Sequence, residues 1–141
     1  MDIDELEPFD VLDESASWRL LRSSTVGRLA VSVAGQPDIF PVNFSVANDR
    51  LVFRTAPGSK LAQVAVNEQV AFETDSVGLD EAWSVVIKGT ARILQKQSEI
   101  DAANGLPLRP LLPTLKYTFV EIMPREITGR RFVPGPEPER Y

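Results

Sequence analysis

The run Arg54-Thr55-Ala56-Pro57-Gly58-Ser59-Lys60-Leu61 carries the residue types that could hold an anion. Arginine offers a planar fork of donors and lysine a compact positive charge. Pro57-Gly58 breaks an extended segment, and Ser59 can cap a helix over residues 60–66, with Leu61, Val64 and Ala65 at helical spacing. The start of such a helix presents unpaired backbone amides and the positive end of its dipole, which together suit a phosphate. A basic residue on a strand and a capping serine are also ordinary structural features, so the residues alone leave both readings open.

Other chemistries are removed by composition. The chain has no histidine, which excludes a Ser-His-Asp triad, an imidazole base and histidine-ligated zinc or haem. It has no cysteine, so disulfides, thiolate nucleophiles and zinc-thiolate sites are excluded as well. Neither a Gly-x-Gly-x-x-Gly fingerprint nor a Walker A sequence occurs. A formal charge of −5 and a pI near 4.8 disfavour a broad nucleic-acid surface, which needs a basic stripe. The acidic start Met1-Asp2-Ile3-Asp4-Glu5-Leu6-Glu7 lacks a basic, then apolar, secretory pattern, and no apolar run is long enough to span a bilayer. The expectation is a cytoplasmic protein with neither nucleic acid nor membrane as partner, in which a cofactor supplies any chemistry.

The elements that must position the 54–60 run follow from periodicity. Asp13 to Arg22 reads as a short helix, with Asp13 as cap and Trp18, Leu21 and Leu12 on one face. Alternation from Val26 to Val33 predicts a strand, Ala34-Gly35-Gln36-Pro37 a turn, and residues 38–47 a second strand with Phe40, Val42, Phe44 and Val46 on one face. Asn48-Asp49 predicts a hairpin turn before a third strand at residues 51–55. Strands at 68–74 and 83–94 follow, separated by a loop at 76–80, and a helix at 97–104 stops at Asn104-Gly105. Pro107, Pro110 and Pro113 mark an exposed irregular connection, after which a last strand runs from 116 to 122, breaks at Pro124 and resumes to Ile127. At 141 residues one domain is expected over 13–133, with an N-terminal arm at 1–12 and a mobile tail at 134–141. Short strands joined by turns indicate a mainly β, antiparallel barrel with two or three short helices rather than βα units.

Four segments in order carry a resemblance: Val26-Gly27-Arg28-Leu29-Ala30, Phe40-Pro41-Val42-Asn43-Phe44, Val52-Phe53-Arg54-Thr55 with Gly58-Ser59-Lys60-Leu61, and Trp83-Ser84-Val85-Val86-Ile87-Lys88-Gly89. Over about residues 13–131 the chain resembles the pyridoxamine 5′-phosphate oxidase-like, flavin-binding split-barrel superfamily, especially its actinobacterial flavin- and deazaflavin-dependent branch. The resemblance implies a six-stranded split barrel that forms a homodimer, with a cofactor site at each subunit interface. It implies FMN as cofactor, with the deazaflavin F420 as the alternative, and a small-molecule substrate. Pro41, Val42 and Asn43 with Phe53, Arg54 and Thr55 would line the flavin ring, Ser59, Lys60 and Leu61 would form the phosphate segment, and Trp83 and Ser84 would approach from the partner subunit.

The residues temper that picture. Pro41 lacks an amide donor, which places it at an edge or distortion and leaves open backbone beside a flat ring. Trp83 is equally suited to a core or an interface, and Lys88 and Thr128-Gly129-Arg130-Arg131 to a solvated strand. Relatives that oxidise pyridoxamine phosphate carry further basic and histidine residues with no equivalent here, so that activity is not expected. An FMN-dependent oxidoreductase of unnamed substrate is the leading expectation, and a flavin-holding protein without turnover the alternative.

Overall fold

The computed structural model describes residues 9–55, 58–108 and 118–133. Four-residue β1 (Phe9–Leu12) leads into α1 (Glu14–Arg22), and then come β2 (Val26–Val33), β3 (Gln36–Ala47) and β4 (Arg50–Thr55). Helix α2 (Ser59–Val66) connects β4 to β5 (Gln69–Val77), β6 (Ala82–Ile93) follows, and α3 (Gln97–Asn104) precedes β7 (Thr118–Phe132).

Every ladder is antiparallel, in the order β1-β7-β4-β3-β2-β5-β6, and β6 also pairs with β7. The pairings β7-β4-β3-β2-β5-β6-β7 therefore run round a six-stranded barrel, with β1 added beside the second half of β7. This is the expected split barrel. Residues 9–12, expected within an N-terminal arm, pair in register with Gly129 to Phe132.

Local chemistry explains the joints. Asp13 caps α1 by accepting the Ala16 amide at 2.7 Å, and Trp18 and Leu21 are buried against the barrel. Leu12, expected on this helix face, belongs to β1. Both tight hairpins use two residues in the left-handed region, Ala34-Gly35 (φ 50° and 77°) and Asn48-Asp49 (φ 52° and 56°), as the right-handed twist of paired strands requires. Gln36 and Pro37, expected in the first turn, already belong to β3.

The core sits inside the barrel, where Phe44 and Phe72 meet edge to face at 4.8 Å. Gly27 exists for this packing: a Cβ there would stand 2.2 Å from Phe72 Cζ. A smaller cluster of Val52, Leu94, Ala103, Leu108 and Phe119 lies under α3 on the other face of β4. Leu108 is thus buried, although it lies in the proline-rich connection expected to be exposed. Residues 109–117, with Pro110 and Pro113, fall outside the described residues, as does the tail at 134–141.

The limits of β5 and β7 differ most from the periodicity, β7 running on to Phe132 rather than Ile127. β5 continues through Val77, because pairing with β6 carries it past the polar Ser76. β7 is continuous across Pro124, because a bulge absorbs it: Lys88 faces Glu126 and Gly89 faces Pro124, so Arg125 is the extra residue.

Candidate functional site

On β4 the side chains alternate, sending Leu51, Phe53 and Thr55 into the buried interior and Arg50, Val52 and Arg54 to the outer face. Arg54 is half-buried and makes contacts of its own, while its buried Nε atom has no hydrogen bond among the described residues. Ala56 and Pro57 lie outside the described residues, and the chain continues at Gly58, the N-cap of α2. Ser59, expected as the cap, is instead the first helical residue, since its backbone already has helical geometry. Gly58 brings no side-chain acceptor, the first turn of α2 contains no acidic residue, and a Cβ built on Gly58 would meet nothing within 4 Å. Among the described residues, no side chain caps the head of α2 and none stands against Gly58. Lys60 and Leu61 follow in that first turn. Ala65, expected on the buried face of α2 with Val64, is exposed.

β3 reaches the same place from the other side. Its ladder with β4 covers Phe44 to Ala47 and stops at the Phe44↔Phe53 pair, whereas its ladder with β2 covers residues 36–43. Asn43 and Arg54 are the first positions past that stop, and alternation puts both on the outer face. Pro41 is exposed on the same face, opposite Arg28. Val42 and Phe53 are 3% and 0% exposed in the core, so their backbones, not their side chains, are what a ligand at this point could touch.

Trp83 and Ser84 are elsewhere. They lie on β6, separated from β3 by β2 and β5, and so do not join Asn43 and Arg54 within one chain. They also point to opposite faces: Trp83 packs against the core, and Ser84 faces outward between Asp75 and Arg130. Lys88 is exposed on that outer face, as are Thr128 and Arg130.

Between the two groups lies a cluster that sequence reasoning did not single out. Arg28 Nη1 donates to Glu73 Oε1 at 2.8 Å and to Asp75 Oδ2 at 3.2 Å. Glu73 is held above the usual carboxylate range, first by burial and then by its hydrogen bond with Asp75, because one arginine shared by two carboxylates does not offset both. Arg28 is raised, chiefly by its bond to Glu73. The i, i+2 spacing of Glu73 and Asp75 on a strand was the available signal. A second outer-face network joins Arg50, Glu121, Arg92 and Glu99 under α3, where the Arg92 bond holds Glu99 below the usual range. Among the described residues, no group of His, Cys, Asp and Glu could hold a metal ion. No helix among them is long and apolar enough to cross a membrane.

Residues 13–131, nearly the whole described chain, match the family described as pyridoxamine 5′-phosphate oxidase. The chain belongs to the pyridoxamine 5′-phosphate oxidase family. A Corynebacterium glutamicum protein provisionally named as such an oxidase has the same fold at 45% identity and a TM-score of 0.85, over 90% of this chain and 100% of its own. The FAD binding protein of Mycobacterium smegmatis is 38% identical with a TM-score of 0.79, over 89% of this chain and 100% of its own. An uncharacterised Mycobacterium tuberculosis protein is 33% identical over 130 residues, 86% of this chain and 84% of its own. For a member of the pyridoxamine 5′-phosphate oxidase family, the chain keeps the barrel while lacking histidine altogether.

Proposed function

We propose that the chain binds a flavin nucleotide where β3 and β4 part, and that it is an oxidoreductase of the pyridoxamine 5′-phosphate oxidase type. The observation that carries this is the likeness, over 89% of this chain, to an FAD binding protein at 38% identity, joined to the position of Arg54 at the end of β4, four residues before the N-cap Gly58 of α2. Arg54, Ser59 and Lys60 hold the phosphate, with Leu61 beside them in the first turn of α2. The backbones of Pro41, Val42, Asn43, Phe53 and Thr55 lie along the ring. Bound flavin would supply hydride and electron transfer, and this chain's residues bind it, orient it and exclude water.

FMN is the proposed form, because one helix head with Arg54 and Lys60 is a single-phosphate set of donors. The relative in Mycobacterium smegmatis makes FAD its direct competitor, and F420 is the third candidate. The site is completed in a homodimer. Ser84 is three strands from Asn43 in one chain, so a contribution from Trp83 and Ser84 requires a second copy.

Absorbance of the purified protein at the flavin bands, followed by separate titrations with FMN, FAD and F420, tests the reading. Replacing Lys60 with alanine should weaken the favoured cofactor by about 1.5–3 kcal/mol, the worth of a charge-assisted contact. A colourless protein that binds none of the three would overturn the proposal, and an unchanged affinity in K60A would remove the phosphate assignment. A flavin-holding protein without turnover is the second reading, favoured by the absence of histidine as a proton donor. Bound flavin that neither a nicotinamide cofactor nor F420H2 reduces would decide for it.

A further inference from the structure

A cavity of ≈ 370 Å³ lies between α3 and the outer face of β4, β6 and β7, at the opposite end of β4 from Arg54. Its volume is within the range of small-molecule sites. Val52, Leu94, Ala103 and Leu106 supply apolar lining, and Asn48 and Arg50 are among the polar residues that border it. Asn48 and Arg50 also border a second hollow of ≈ 540 Å³ beside Trp18 and Met123, so Arg50 is reached from two directions.

The charges in the cavity are unequally engaged. Glu121, with a side chain only 13% exposed, accepts Arg50 Nη1 at 2.9 Å and Arg92 Nε at 3.0 Å on the same oxygen. Arg92 turns its other two nitrogens onto Glu99, which completes its fork. Among the described residues Arg50 donates through Nη1 alone, and none of them engages its Nη2 or Nε. Two arginines and two glutamates sum to no net charge, so the cavity has no excess positive charge to balance a polyanion. A single carboxylate can be recognised by the geometry of the Arg50 fork.

We propose that this cavity is a second small-molecule site, separate from the flavin cleft, which takes a monocarboxylate with a short apolar body. The carboxylate sits on Nη2 and Nε of Arg50, and the apolar body lies against Val52, Leu94, Ala103 and Leu106. Nothing in this arrangement depends on the flavin reading, and its test is run without flavin.

The test is an NMR titration of the full chain in carboxylate-free buffer, with benzoate as probe and neutral benzamide as its control. Benzoate should give saturable shifts at the amides of Arg50, Leu94 and Leu106, and benzamide should bind at least about tenfold more weakly, since it lacks the charge-assisted pair. Arg50→Gln should lower benzoate affinity by about tenfold or more. Because that change also loosens the contact to Glu121, Ala102→Leu is the second variant: it narrows the cavity and leaves all four charges in place. It should lose benzoate with its melting temperature unchanged. The absence of saturable shifts, equal binding of benzoate and benzamide, or full benzoate affinity in Ala102→Leu would each overturn the site and leave the ion network as a fastening for α3.

Discussion

Glu73 and Asp75 are two residues apart on β5, so the strand period sends both carboxylates to the outer face, where both reach Arg28. The raised pKa of Glu73 has a definite sign for stability. A carboxyl whose folded-state pKa lies above its unfolded value contributes stability that is complete below the unfolded pKa and is lost as pH rises through the folded one. At neutral pH the ionised Glu73 therefore works against the fold despite its bond to Arg28. Glu73→Gln should be as stable as the native chain or slightly more stable at pH 7, with the difference vanishing near pH 4, as read from paired thermal melts. A variant clearly less stable at pH 7 would show that the Arg28 contact outweighs the burial of the charge. Glu99 has the opposite sign, held low by Arg92, so its contribution is present above the ordinary glutamate pKa and fades as acid is added.

The elements show how much local chemistry each joint needs. Asp13, Asn48-Asp49 and Asn104-Gly105 act where their residue types indicate, because caps and tight turns are decided within a few residues. The β6–β7 bulge depends on a distant contact instead. A Cβ on Gly89 would come within 2.3 Å of the Met123 backbone oxygen, so glycine lets the two strands approach where Arg125 loops out. Gly89→Ala should lower stability by about 1–3 kcal/mol, in the range of overpacked interiors, as measured by urea denaturation. An unchanged midpoint would mean that the strands do not close at this point. Of the three glycines in the family-like segments, Gly27 and Gly89 are thereby explained by packing rather than by ligand binding.

For the whole molecule, the outer face of β2, β3, β5 and β6 carries Ile39 and Val26, 63% and 47% exposed, around the Arg28 cluster. This is the face between Asn43 and Ser84, and a homodimer that completes the proposed flavin site would cover it. Sedimentation velocity should find a dimer for the native chain, and Ile39→Asp should shift it to monomer and weaken flavin binding together, since a buried aspartate would lack a partner. A native chain that sediments as a monomer while binding flavin at full affinity would separate the site from dimerisation.

By itself the sequence determined the barrel, two or three short helices, most strand limits to within a residue or two and the membership of Arg54 and the head of α2 in one strand-to-helix joint. Periodicity, caps and turns are local, and each residue reports them without the rest of the chain. Only the tertiary structure decided which side chains face together. It set Asn43 beside Arg54 at the end of the β3–β4 ladder, placed Trp83 and Ser84 on opposite faces three strands away, and buried Val42 and Phe53. It also brought Arg28 to Glu73 and Asp75, and closed Arg50, Arg92, Glu99 and Glu121 into one network. The physical reason is that strand pairing joins residues far apart in the chain, and one step of register decides whether a side chain meets the core or the solvent.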